Sequence, residues 1–241
     1  MSTRKLPEMT TPELLHGDAE GNESWHAFEI MSEYVGATET LKRIMPAVSI
    51  FGSARTKPDH PYYKLTEEVA GLLSNSGFTV ISGGGPGIME AANKGAFPGV
   101  GPSVGLNIDL PFEQSGNGYQ DIGITFKTFF MRKVMFVKYA SAYVVMPGGF
   151  GTLDELMECL TLVQTGKSHK IPIILVCSDY WAGLLDWLKN TLIAEGMASP
   201  DDMDLLQVID EPEEVVAAIF KYYESRGFQL SAEDKKNQLN L

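Results

Sequence analysis

The 241-residue chain is poor in several features, and each absence narrows what it does. It has two cysteines, Cys159 and Cys177, without CxxC spacing, so they read as reduced and mostly buried thiols. Its four histidines, His16, His26, His60 and His169, form no HxxxH or HExxH pair, and no zinc site is visible. No apolar run approaches the roughly 20 residues of a membrane-spanning helix. The polar N-terminus MSTRKLPEMTTPELLHGDAEG holds no apolar stretch for secretion, which points to a cytoplasmic protein. Basic residues are also scarce: 19 Lys and Arg stand against 31 Asp and Glu, a formal charge of -12. A polyanion partner needs a basic face, so nucleic acid and anionic membrane surfaces are disfavoured. One small anion is not excluded, because a few local donors suffice to hold a phosphate.

What the chain does have is apolar substance, 44% of its residues, arranged in a clear rhythm. Residues 1–22 lack apolar periodicity and read as a loosely docked polar arm. Ser24 is placed to cap a helix whose Trp25, Phe28, Met31 and Val35 share one face and must pack on something. From residue 47 the pattern changes to short β-branched runs, several ending in glycine, each followed by a helical segment. AVSIFGS, FTVISGGG, SVGLNI, ITF, AYVVMPGG, IPIILVCS and LLQVID read as strands. Helices are expected between them, among them 63–73 with Leu65, Val69 and Leu72 inward, 128–140, 151–166, 181–193 and 211–223. Apolar strands alternating with helices imply a parallel sheet covered on both faces, a doubly wound, Rossmann-like α/β fold. The expected division is an N-terminal extension at 1–45, one Rossmann-like domain at 46–228 and a polar tail at 229–241.

Ligands of such sheets bind outside the carboxyl ends of strands, where strand order reverses. Three strand ends carry glycine-rich loops: Gly52-Ser53-Ala54-Arg55, Ser82-Gly83-Gly84-Gly85-Pro86-Gly87 and Pro147-Gly148-Gly149-Phe150-Gly151-Thr152. A glycine loop leading into a helix gathers free N–H groups and the positive end of the helix dipole, which suits a phosphate. The dinucleotide fingerprint fails because Ile88 stands at its third position, and no loop carries the GK[ST] of a P-loop. Near these loops lie Arg132, Lys133, Glu155, Glu113 and Glu90. Local physics leaves each open: the cations as a solvated pair or phosphate holders, Glu155 and Glu90 as dipole partners of their helices or as chemistry, Glu113 as a solvated loop carboxylate or a ligand contact.

Taken together, SGGGPGIMEAANKGA, GLNIDLPFEQ, MRKVMF and PGGFGTLDE resemble, in order and spacing, the Lonely Guy family of nucleotide phosphoribohydrolases. The resemblance covers residues 48–176. It implies hydrolysis of the N-glycosidic bond of an adenine or N6-substituted adenine nucleoside 5'-monophosphate, without cofactor or metal, by a homodimer or higher homo-oligomer. By position it makes Glu155 and Arg132 the catalytic pair. Gly148, Gly149, Gly151 and Thr152 become the phosphate turn, and Gly52, Ser53, Gly84, Gly85, Glu90, Glu113 and Lys133 further substrate contacts. Related sequences also carry the label lysine decarboxylase, but no lysine here has the context expected of a pyridoxal phosphate carrier. The competing classes are a non-catalytic nucleotide or molybdenum-cofactor carrier of the same fold and a DNA-processing relative, the latter opposed by the charge.

Overall fold

The computed structural model describes residues 18–110 and 116–225, excepting the side chains of 18–24. The arm, the tail and Glu113 therefore lie wholly or partly outside the described residues. The strands are β1 (Ala47–Phe51), β2 (Thr79–Ser82), β3 (Ser103–Ile108), β4 (Ile122–Phe126), β5 (Ala140–Val145), β6 (Ile173–Leu175) and β7 (Leu206–Val208). The helices are α1 (Asp18–Leu41), α2 (Pro61–Asn75), α3 (Ile88–Ala96), α4 (Phe129–Lys138), α5 (Phe150–Gln164), α6 (Ser178–Trp187) and α7 (Pro212–Ser225). All strand pairs are parallel, in the order β4-β3-β2-β1-β5-β6-β7. The expected doubly wound α/β fold is what the chain forms.

Strand residues alternate between two cores, as the two-residue period of a strand requires. Phe51, Ile81, Tyr143, Val145, Ile173 and Leu175 face α1, α4, α5 and α6, where they meet Leu41, Met135, Phe136, Leu156 and Trp181. Val48, Ile50, Val80, Val144, Ile174 and Val176 face α2, α3 and α7, against Val69, Leu73, Ile88, Ala92 and Ile219. Because both faces are covered, the middle strands read in sequence as unbroken apolar runs. Ser49 is the polar residue inside β1, and its hydroxyl donates to the Phe136 carbonyl at 3.1 Å, so its burial is compensated.

Three expectations are corrected. Helix α1 begins at Asp18, well before Ser24, so Ser24 is an interior helical position rather than its cap, and 18–22 are helix rather than arm. The face with Trp25, Phe28, Met31 and Val35 points outward, all four residues more than half exposed. The face that docks is the opposite one: Ala37 and Leu41 are buried, and Ile30 and Tyr34 pack on the core. Glu33 ties α1 down by accepting from the Lys127 N–H at 2.6 Å and the Thr128 hydroxyl at 2.7 Å. In α2 the buried stripe is Tyr63, Thr66, Val69, Ala70 and Leu73, leaving Leu65 and Leu72 only half-buried. Contact with both α3 and α7 rotates that stripe from the simplest reading of the leucines. The helix expected at 181–193 starts earlier and divides into α6 and a π-helical turn at Leu188–Ile193.

No described helix is long and apolar enough to cross a membrane. Between β1 and β2 on one side and β5 on the other the order reverses, and the loops after β1 and β5 diverge to opposite faces. Gly87, which leads into α3, adopts φ 69° and ψ -129°, a region open only to glycine. A Cβ there would lie 2.3 Å from the Ser53 carbonyl, while the Ile88 N–H donates to that same oxygen at 2.9 Å. Gly87→Ala is therefore expected to destabilise the protein by about 3 kcal/mol, a fall of roughly 6–12 °C in the melting temperature read by calorimetry.

Candidate active site

The strand-order reversal opens a cleft of about 1120 Å³ at the carboxyl ends of the central strands. Gly52, Ser53, Ala54 and Arg55 line it from the end of β1, Gly83 and Gly85 from β2, and Asn107 and Asp109 from β3. Helix α4 contributes Phe129, Arg132 and Phe136, the β5–α5 turn contributes residues 148–155, and α6 contributes Tyr180. The Ser53 N–H donates to the Pro147 carbonyl at 3.1 Å, tying the first loop to the third.

Helix α5 starts at the floor of this cleft. Its N-cap is Gly149, and no described side chain caps it, so its first-turn N–H groups lack the partner a Ser or Asp would provide. An added Cβ at Gly149 or Gly151 would meet nothing within 4 Å. Backbone donors, open space and the helix dipole thus coincide at residues 149–152, an arrangement suited to an anion.

Arg132 crosses the cleft wall from α4. Its Nε donates to the Leu106 carbonyl at 2.7 Å and an Nη to the Gly83 carbonyl at 3.2 Å, and the guanidinium lies 5.4 Å from the Phe136 ring centre. The guanidinium is thereby held in one orientation at the ends of β2 and β3. Glu155, one turn into α5, is half-buried, and its Oε2 is buried without a hydrogen-bond partner. Burial pushes its pKa up to about 7. Lys133 and Arg132 pull it down, while Glu158 and Asp154 push it further up. An unpaired carboxyl near neutrality inside a cleft is the arrangement expected of a group that exchanges protons with a ligand.

The other sequence candidates divide. Gly52, Ser53, Gly85, Gly148, Gly149, Gly151 and Thr152 line the cleft with Glu155 and Arg132; Gly84, Glu90 and Lys133 do not. Gly84 turns its carbonyl toward residues 116–120, where it accepts from the Asn117 N–H at 2.7 Å, the Asn117 side chain at 3.0 Å and Gln120 at 3.0 Å. Glu90 accepts from the Tyr63 hydroxyl at 2.8 Å, binding α3 to α2. Lys133 is clamped by Asp154 and Glu158, each at 2.8 Å. Burial alone would lower its pKa, but these two hydrogen bonds raise it overall, so it remains charged beside Glu155.

Sequence reasoning missed Arg55, Asn107, Asp109 and Tyr180. Each stands within a few residues of a strand's carboxyl end, which is the signal that could have found them. Asn93, in α3, is also buried and organises the second loop: it accepts from Ser82 at 2.6 Å and Asn117 at 2.9 Å and donates to Ser103 at 2.9 Å.

A family model described as "possible lysine decarboxylase" matches residues 89–219, a span that includes Arg132, Glu155 and the whole β5–α5 turn. A cytokinin riboside 5'-monophosphate phosphoribohydrolase of Mycobacterium tuberculosis is 33% identical over 160 residues, 64% of this chain and 83% of that one. The chain belongs to the Lonely Guy family. Another relative, cytokinin riboside 5'-monophosphate phosphoribohydrolase LOG3 of Arabidopsis thaliana, is 26% identical over 153 residues, 63% of this chain and 70% of its own. Among solved structures, the molybdenum cofactor carrier protein of Chlamydomonas reinhardtii superposes with a TM-score of 0.55 at 20% identity, covering 74% of this chain and 98% of that one. The molybdenum cofactor binding protein of Rippkaea orientalis gives 0.52 at 21%, covering 73% and 94%. These two likenesses are of fold. In this chain the fold thus places the Glu155 carboxyl and an oriented guanidinium at one switch-point cleft.

The Glu155 pKa has a consequence for stability that is independent of any reaction. Its folded pKa lies above its unfolded one, so the folded state is favoured at low pH, and that advantage is lost as pH rises through about 7. Glu155→Gln removes the titration. Its melting temperature relative to wild type is expected to rise between pH 5 and pH 8, by on the order of 2–4 °C, in thermal scans at the two pH values. A difference that does not change with pH would contradict the burial argument.

Proposed function

We propose that this Lonely Guy family member hydrolyses the N-glycosidic bond of a purine nucleoside 5'-monophosphate, with adenine or N6-substituted adenine as base, to free base and ribose 5-phosphate. The observation that carries the reading is the buried, unpartnered Glu155 carboxyl one turn from an uncapped helix N-terminus. The names of the curated relatives support it. In this reading the N–H groups at residues 149–152 hold the 5'-phosphate, with Thr152 and Ser53 at its edges. Arg132 fixes phosphate or ribose oxygens through charge-assisted hydrogen bonds.

Cleavage passes through an oxocarbenium-like ribose. In this reading the ionised Glu155 stabilises positive charge at C1' and orients a water. The water oxygen bonds to C1', one water proton passes to the carboxylate, and the C1'–N bond breaks with its electron pair leaving on the base. The base takes a proton from solvent, and Glu155 returns its own to solvent. Phe129 and Met89 offer apolar surface to the base. The described lining of the cleft includes no lysine, the side chain that a pyridoxal phosphate Schiff base requires, so amino-acid decarboxylation does not fit this site.

Glu155→Gln is expected to keep nucleotide binding and lose about 10²- to 10⁴-fold in kcat, while Arg132→Ala loses both. Base release from AMP, GMP, CMP and isopentenyl-AMP measures this and ranks the bases. Unchanged turnover by Glu155→Gln would remove its assigned role. Because the carboxylate is the active form, the wild-type rate is expected to rise with pH around an inflection near 7.

A further inference from the structure

Tyr180 occupies the third position of α6, lines the cleft, and donates its hydroxyl to the Gly148 carbonyl at 2.6 Å. That carbonyl belongs to the peptide joining Gly148 to Gly149. A trans peptide is planar, with its C=O and N–H pointing in opposite directions. Capturing the oxygen therefore fixes the direction of the Gly149 N–H. The turn is otherwise tied by backbone bonds on either side, from the Ser53 N–H to the Pro147 carbonyl and from the Leu153 N–H to the Gly149 carbonyl, while the glycines themselves leave φ and ψ free.

Tyr180 is itself held. Its ring meets Trp181 edge-on at 4.9 Å and Tyr62 at 6.4 Å. The chain reaches α6 through Cys177 at φ 73° and ψ 73°, the one positive φ among the described non-glycine residues, a conformation unfavourable for a residue with a Cβ. Asp210, after β7, secures this turn. One carboxylate oxygen accepts from the Ser178 N–H at 2.7 Å and the other from its hydroxyl at 2.5 Å. These bonds, with the Cys177 N–H, hold the Asp210 carboxyl below the usual carboxylate range despite partial burial. A continuous path of hydrogen bonds and covalent chain thus runs from β7 to the glycine turn.

We propose that Tyr180 is a positioning residue for the phosphate cradle, aiming the Gly149 N–H through its bond to the Gly148 carbonyl, and that the Asp210–Ser178 link keeps Tyr180 in place. This rests on reading the start of α5 as the 5'-phosphate site. The chemistry at C1' does not pass through Tyr180, so its loss weakens phosphate grip without slowing the bound complex.

The test uses the full chain, ribose 5-phosphate as a calorimetric probe, and AMP or isopentenyl-AMP as substrate. Tyr180→Phe is expected to weaken ribose 5-phosphate about five- to tenfold and raise KM by the same factor, with kcat within about twofold of wild type. Asp210→Asn keeps the ring and is expected to shift both in the same direction by a smaller factor. A wild-type ribose 5-phosphate affinity in Tyr180→Phe overturns the proposal, as does a kcat loss at unchanged KM. If Tyr180→Phe does not fold, a wild-type affinity in Asp210→Asn overturns it alone. A wild-type chain that binds ribose 5-phosphate but releases no base refutes the hydrolase reading, while the two affinities still decide the role of Tyr180.

Discussion

The site depends on the reversal of strand order between β1 and β5. Strands β1 to β4 extend the sheet in one direction and β5 to β7 in the other. The connections leaving β1 and β5 must therefore turn to opposite faces, and no chain fills the space between them. Parallel pairing puts every strand's carboxyl end on one side of the molecule. Residues from five connections and from α4 then meet in one cleft although they span positions 50 to 180.

Within that cleft a shared device orders the glycine-rich turns: a side chain from a neighbouring element captures a carbonyl of the turn. Arg132 takes Gly83, Asn117 and Gln120 take Gly84, and Tyr180 takes Gly148. Since the amide of the next residue points the opposite way, each capture also orients an N–H. Glycine is needed for close approach, and the captures remove the disorder that glycine would otherwise bring. The electrostatics follow the same division. Lys133 is neutralised by Asp154 and Glu158, and this leaves Glu155 the one carboxyl of α5 without a direct cationic partner among the described residues.

The fold was legible in the sequence because both faces of a parallel sheet are covered, so its strands are apolar throughout and stand out against amphipathic helices. Glycine turns at strand ends marked the site for the same reason, and Glu155 and Arg132 were found beside them. What the sequence left open has physical causes. Trp25, Phe28, Met31 and Val35 form a clean helical stripe, yet α1 docks through Ile30, Tyr34, Ala37 and Leu41 instead. A helix with two apolar faces does not declare in its sequence which one the core takes. Gly84, Glu90 and Lys133 sit as close in sequence to the site as the residues that line it, but their direction is set by Asn117, Tyr63 and Glu158, all distant along the chain.

The sequence by itself determined the order of strands and helices, the parallel sheet and the glycine-bearing strand ends, because these follow from local periodicity and backbone freedom. It also carried the family, whose motifs lie in those turns. Only the tertiary structure decided which polar side chains share the cleft, that the Glu155 carboxyl is desolvated to a pKa of about 7, and that Tyr180 reaches the β5–α5 turn from another connection. Those outcomes depend on burial and on contacts between residues far apart along the chain, which no local pattern encodes.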